Sequence, residues 1–327
     1  MDTTNIPQPP PAAGVRLDWQ AVPAHVRSAV EQQLGSPVVM AASQTAGFSP
    51  GVAARLQVAN GQRVFVKAVA PEPNPHSPAF HRREASVVAA LPTDIAVPRL
   101  LHTYDEGIDG WVVLVFEEVP GHMPAQPWRA AEFERVMAAL IELGNQLTPS
   151  PLAVASVGRA PDKFRRTFCG WQRLHDEQPS RLAQVDDWAR RHLDDLIELE
   201  TAAPAAVDGD TLLHFDLRAD NLLLTADRVW FVDWPHACVG ADWVDTLCFA
   251  PSVTMQGGPT PAEILARHPA SHRADPVDIT AAIVSIAGFF IYQSVQPPPP
   301  GLPTLRAFQA AQGEVARAWI AQRTGWT

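Results

Sequence analysis

Lysine is almost missing from this chain: Lys67 and Lys163 stand against 23 arginines. Cysteine and tyrosine are nearly as scarce, at three and two residues. Cys169, Cys238 and Cys248 have unrelated spacings, which excludes a disulfide framework or a zinc site and leaves reduced, buried thiols. Residues 1–14 are polar and proline-rich, with no basic or strongly apolar stretch, so they read as a disordered leader and not as an export signal. The longest apolar run, residues 279–295, contains Thr280, Ser285 and Gln293; it is short for a membrane span and suits a buried helix. The expected setting is cytoplasmic, with no membrane partner. A net charge of −10 argues against a nucleic-acid partner and mildly favours cationic substrates through steering.

Apolar material is plentiful. A hydrophobic content of 46% with 18% charged residues, spread over 327 residues, can build one two-lobed unit or two domains. Residues 38–40, 53–58 and 63–69 read as successive strands, with Asn60-Gly61 as the hairpin turn between the last two. Residues 79–91 have helical periodicity, with Phe80, Val87, Val88 and Leu91 at core-facing spacing. Residues 110–119 read as a buried strand that breaks into a Pro120-Gly121 turn. From Trp128 the texture turns helical, over residues 128–147, 163–176 and 184–200. The expected division is a leader over residues 1–14, a β-rich lobe over 15–119 and a helical lobe over 120–327.

The most informative stretch is Leu213-His214-Phe215-Asp216-Leu217-Arg218-Ala219-Asp220-Asn221, followed by Val232-Asp233-Trp234. Residues 211–213, 221–224 and 229–232 read as strands around it, with a turn at residues 225–228. An Asp and an Asn five residues apart in a loop, with a second Asp beyond a hairpin, is the set that phosphoryl transfer requires. One carboxylate orients the attacking hydroxyl and accepts its proton, while an amide and a second carboxylate hold Mg²⁺ against the nucleotide phosphates.

On these residues the chain resembles the aminoglycoside phosphotransferase and choline kinase-like family, small-molecule relatives of protein kinases. The resemblance runs from about Val39 to the C-terminal helix and is specific over residues 212–249. It implies an α+β, two-lobed protein kinase-like fold, with a small antiparallel β-rich N-lobe and a larger, mainly α-helical C-lobe. It also implies ATP or GTP as phosphate donor and Mg²⁺ as cofactor. Asp216 would be the catalytic base, Arg218 a cation facing the transferred phosphate, and Asn221 and Asp233 the metal ligands, with His214 bracing the loop. Lys67 would bind the nucleotide phosphates and Glu84 would orient it. Glu117 to Val119 would form the hinge whose main chain meets the purine. Ser49, in the glycine-containing loop at residues 45–51, would donate to a phosphate oxygen, although that loop lacks the protein-kinase G-x-G-x-x-G spacing. Two positions depart from the pattern: Phe215 stands where the family often has Gly, and Pro235 where protein kinases have Gly.

The expected function is transfer of a γ-phosphate to a hydroxyl of an aminoglycoside or another antibiotic or natural-product alcohol, with antibiotic resistance one implied role. Asp186, Asp187, Asp194, Asp195, Glu198 and Glu200 form an acidic cluster that is either a lure for a cationic acceptor or a solvated helix face. Trp171, Trp188 and Trp234 are either acceptor walls or core. A nucleotide-binding regulatory protein without turnover is the alternative. A protein kinase fits less well, because residues 233–245 leave no room for an activation segment. The sequence leaves the oligomeric state open.

Overall fold

The computed structural model describes residues 12–177 and 179–327, so residues 1–11 of the expected leader lie outside it. Five antiparallel strands form the small lobe: β1 (Val38–Ser43), β2 (Val52–Val58), β3 (Arg63–Val69), β4 (Leu100–Asp105) and β5 (Val112–Glu117), in the order β1-β2-β3-β5-β4. The turn between β2 and β3 falls on Gly61, whose φ of 90° is open to glycine at little cost.

Alternation along β3 sorts its side chains between two faces. Val64, Val66 and Ala68 point to the back, into a buried cluster shared with Val26, Val30 and Leu34 of helix α1 (Ala24–Leu34). Phe65 and Lys67 take the other face and line a cleft. Helix α2 (Ser77–Ala90) follows β3 and buries Glu84, Val87 and Val88. Helix α1 and strand β4 carry no expectation from the sequence reading. The alternation of β4 is masked by half-exposed side chains at the sheet edge.

The large lobe begins with α3 (Ala130–Gln146) and continues through α4 (Val154–Val157), α5 (Ala160–Arg166), α6 (Gly170–Asp176), α7 (Pro179–Leu182), α8 (Asp187–Arg191) and α9 (Leu193–Ala206). Short strands follow: β6 (Thr211–Leu213), β7 (Leu222–Leu224), β8 (Val229–Phe231) and β9 (Cys238–Gly240). β6 pairs with β9, and β7 with β8. The chain closes with α10 (Val244–Met255), α11 (Pro261–Arg267), α12 (Pro276–Ser294) and α13 (Leu305–Thr324).

Two expected helices are broken. Residues 163–176 divide into α5 and α6 because the Phe168 carbonyl leaves the helix ladder and accepts the Ser285 hydroxyl at 2.6 Å. Residues 184–200 divide at His192, between α8 and α9. The apolar run at 279–295 forms most of α12. That helix is long and apolar enough to cross a membrane by length and composition, but its residues 281–288 are buried inside the lobe.

Glycines set the closest helix crossing. A Cβ on Gly170 would sit 1.9 Å from the Gly288 carbonyl oxygen, so α6 and α12 meet backbone to backbone. The Trp171 indole donates to Val284 O at 2.9 Å and ties the crossing together. A Gly170→Ala substitution must push the two helices apart, and overpacking of this kind costs about 3 kcal/mol. Thermal unfolding of the variant should show a clear drop in Tm.

Candidate active site

The loop after β6 is strained and then pinned. Phe215 has φ 67° and Asp233 φ 70°, the two non-glycine residues with positive φ among the described residues. Such conformations cost of order 1–3 kcal/mol and persist only where neighbours fix them. Asp245, in the first turn of α10, supplies the fixation by accepting the His214 and Phe215 amides, each at 2.8 Å. The left-handed backbone at Phe215 is the physical reason for a glycine preference at that position. The ring is accommodated by packing edge-on against Phe168, with centroids 5.3 Å apart.

His214 is fully buried. Its Nε2 donates to Val232 O (2.9 Å) and its Nδ1 accepts the Asp216 amide (3.3 Å), an arrangement that requires neutral imidazole. Burial lowers its pKa in the same direction, although Asp245 opposes it. His214 therefore braces the loop.

Asp216, Arg218, Asp220 and Asn221 form one network. Arg218 donates to Asp216 at 2.5 Å and to both oxygens of Asp220 at 3.0 and 3.1 Å. Burial works against the guanidinium charge, but the two carboxylates outweigh it and raise its pKa. The Asn221 amide nitrogen donates to Asp216 O at 2.7 Å, which leaves Oδ1 as its ligand atom.

Across the cleft, Lys67 Nζ lies 2.7 and 2.9 Å from the two Glu84 oxygens and 2.7 Å from Asp233 Oδ1. One ammonium thus joins a carboxylate of the small lobe to one of the large lobe. Burial would lower the Lys67 pKa, yet the two carboxylates raise it. Asp233 is held below the usual carboxylate range against its burial, chiefly by Lys67. Burial pushes Glu84 up, and Lys67 only partly offsets it.

Asn221 Oδ1 and the Asp233 carboxylate are hard oxygen donors of the kind Mg²⁺ prefers, and Mg²⁺ takes its remaining ligands from phosphates and water. The described residues contain no group of three His, Cys, Asp or Glu that could hold a metal unaided. The donor set therefore fits a metal that arrives with a nucleotide.

Two cavities meet at these residues. The first, of about 440 Å³, is lined by Ser49, Lys67, Glu117, Val119, Asn221 and Asp233. The second, of about 550 Å³, shares Ser49, Glu84 and Asp233 with the first and also reaches Asp216 and Arg218. The expected residues thus assemble around one cleft. Within the hinge, the Glu117 amide is already bonded to Arg99 O at 3.0 Å, so the Glu118–Val119 backbone is the part left to meet a base. The Ser49 hydroxyl makes a long contact of 3.4 Å to Pro50 O.

Two residues at the cleft, Arg16 and Lys163, carry no role in the expectations from sequence. Arg16 reaches from the N-terminal segment and donates to the Ser49 and Ala46 carbonyls, so it clamps the glycine loop from inside the nucleotide cavity. Burial lowers its pKa, while Asp233 and Asp220 act the other way. Residues 12–14, the end of the expected leader, lie beside it: the Gly47 amide bonds to Ala12 O at 3.2 Å, and Ala13 bridges to Ala46. Nothing in local sequence marks Arg16. Lys163 did carry a signal, since both lysines of a lysine-poor chain line the cleft.

This is the geometry of a kinase-fold phosphotransferase. Residues 46–277 match the profile of the phosphotransferase enzyme family (APH), and the chain belongs to that family. Among solved structures it is similar to a thermostable mutant of the aminoglycoside phosphotransferase APH(4)-Ia in ternary complex with ADP and hygromycin B. That likeness has a TM-score of 0.58 and 12% identity, and covers 90% of this chain and 99% of the other. It is also similar to the choline kinase LicA from Streptococcus pneumoniae, with a TM-score of 0.58 and 13% identity over 91% of this chain and 100% of the other. At these identities the likenesses establish the fold. No curated protein sequence matches the chain.

Two variants probe the supports of the site. Arg16→Ala frees the glycine loop and should raise the nucleotide KM about tenfold, as expected for loss of charged hydrogen bonds. Asp245→Ala releases the strained loop and should lower kcat at least about a hundredfold, because reacting groups tolerate little misplacement. Steady-state kinetics on both variants would test these outcomes.

Proposed function

We propose that the chain is a Mg²⁺-dependent O-phosphotransferase that moves the γ-phosphate of ATP or GTP to a hydroxyl of a small molecule. The observation that carries this reading is the position of Asp233: it lines both cavities, with Lys67 and Asn221 on the nucleotide side and Asp216 on the other.

In this reading the nucleotide occupies the first cavity, its base against the Glu118–Val119 backbone and its phosphates beneath the glycine loop near Ser49. Lys67, steered by Glu84, neutralises charge on the α- and β-phosphates. Asn221 Oδ1 and Asp233 hold Mg²⁺, which when bound screens the phosphate charge. Asp216 accepts a hydrogen bond from the acceptor hydroxyl and orients its oxygen. As the new O–P bond forms and the bond from γ-phosphorus to the bridging oxygen breaks, the proton passes to Asp216 and the nucleoside diphosphate leaves. Arg218, bonded to Asp216, offsets negative charge on the group in transit. No covalent enzyme intermediate is needed.

The resemblance extends the proposal to aminoglycosides and other antibiotic or natural-product alcohols as acceptors, and to antibiotic resistance as a role. It also includes a cytoplasmic setting, consistent with three free cysteines. The alternative reading, a nucleotide-binding regulator without turnover, is weakened because Lys67, Glu84, Asp216, Asn221 and Asp233 are all present and line the two cavities that meet at Asp233.

Loss of a general base costs about a hundredfold to ten-thousandfold in rate. Acceptor-dependent ADP or GDP release should therefore fall about a thousandfold in Asp216→Ala, with nucleotide affinity retained. Equal turnover in the variant and the native protein would remove Asp216 from the chemistry. Nucleotide binding without release on any acceptor would favour the regulatory reading.

A further inference from the structure

We propose that the acceptor is a neutral, largely apolar alcohol with aromatic or alicyclic rings, and not a polycationic one. The inference rests on the phosphotransferase reading, which makes the cavity at Asp216 the acceptor site. Its walls are unlike those that a polycation requires. Phe80, Phe168, Phe215, Phe289, Phe290 and Phe308 line it, beside uncharged polar side chains such as Asn74, Thr167, Gln309 and Gln312. They belong to α2, the loop after α5, the catalytic loop, α12 and α13, so rings converge from five separate segments. Phe168 stacks on Phe289 with centroids 4.5 Å apart, and Phe289 packs against Phe290 at 5.4 Å. Phe168, Phe215 and Phe308 are buried and form an apolar backing, while the more exposed Phe80, Phe289 and Phe290 offer dispersion and ring contacts to a ligand.

The charges point the same way. Carboxylates on the cavity wall are Glu84, Asp216 and Asp233. Each is already bonded to a cation, Glu84 and Asp233 to Lys67 and Asp216 to Arg218. No further acid among the described residues lines the cavity to receive an ammonium group. Lys163 enters instead, donating to the His236 carbonyl and lying 4.7 Å from the Phe215 ring centroid. A buried cation there repels ammonium groups and suits a carbonyl or ether oxygen of the acceptor.

The acidic cluster in the helical lobe does not reach this cavity. Asp186 caps α8 and pairs with Arg317 at 2.7 Å, Asp187 pairs with Arg190, and Glu200 accepts the Trp171 and Gln172 amides at 3.1 and 2.9 Å. Its members are structural or solvated. Trp171 and Trp188 are likewise core residues, and Trp234 lines the nucleotide cavity, so phenylalanines form the acceptor wall.

ADP or GDP release with Mg²⁺ and ATP or GTP would be measured with two acceptor sets at equal concentration. Chloramphenicol and erythronolide B represent neutral alcohols; kanamycin A and hygromycin B represent polycationic ones. The neutral set should stimulate release at least about tenfold more than the polycationic set. Phe289→Ala and Phe80→Ala should each raise the acceptor KM about tenfold, the scale expected for losing an aromatic contact, and leave the nucleotide KM unchanged. Phe80 is 43% exposed, so its variant keeps the test valid if Phe289→Ala folds poorly. Faster turnover of the polycationic set, or an unchanged acceptor KM in both variants, would overturn the inference and leave the phosphotransferase reading standing. No release with either set would count against the phosphotransferase reading, and the acceptor inference would fall with it.

Discussion

A single ammonium group, Lys67 Nζ, is bonded at 2.7 Å both to Glu84 of the small lobe and to Asp233 of the large lobe. Most of the site is arranged around this contact. Isolated charges at this depth would be costly, and a buried carboxylate left without its cation would cost several kcal/mol. The sheet must therefore deliver Lys67 to its cleft face, and α2 must present Glu84 against it. The loop after β8 must also turn Asp233 back towards the sheet. Alternation along β3 meets the first demand and the helical repeat of α2 the second. The third is met by a strained backbone at Asp233.

That strain is one half of a pair. Phe215, next to the Asp216 carboxylate, and Asp233, which carries the second carboxylate of the proposed chemistry, both adopt left-handed conformations. Asp245 holds the first with two amide hydrogen bonds, and His214 spans from the first loop to the Val232 carbonyl beside the second. A buried carboxylate and a neutral imidazole thus set the distance between the proposed base and the proposed metal ligands. Neither residue needs to touch a substrate to control the reaction.

Much of this was legible in the sequence, and the limits have physical causes. The strands β2 and β3, the helix α2 and the hairpin β7–β8 could be read because their apolar periodicity is strong and glycine or short polar turns bound them. The resemblance located Lys67, Glu84, Asp216, Asn221 and Asp233, which the fold brings into one cleft. Residues 163–176 and 184–200 were expected as unbroken helices, because periodicity does not register a carbonyl drawn off by Ser285 or a kink at His192. Arg16 was invisible because its role comes from a tertiary contact with a loop some thirty residues away. The sequence left the acidic cluster as either a lure or a solvated face for a related reason. Net charge and an acidic cluster do not say which residues line a cavity, and those that line the one at Asp216 are distant in sequence.

The most direct test of the account is to follow the label of [γ-³³P]ATP with Mg²⁺, an accepted alcohol and the purified protein. Direct transfer predicts that the label leaves the nucleotide and appears in a phosphate ester of the alcohol, with none bound to the chain. Label recovered on the protein, or only as inorganic phosphate whether or not the alcohol is present, would contradict it.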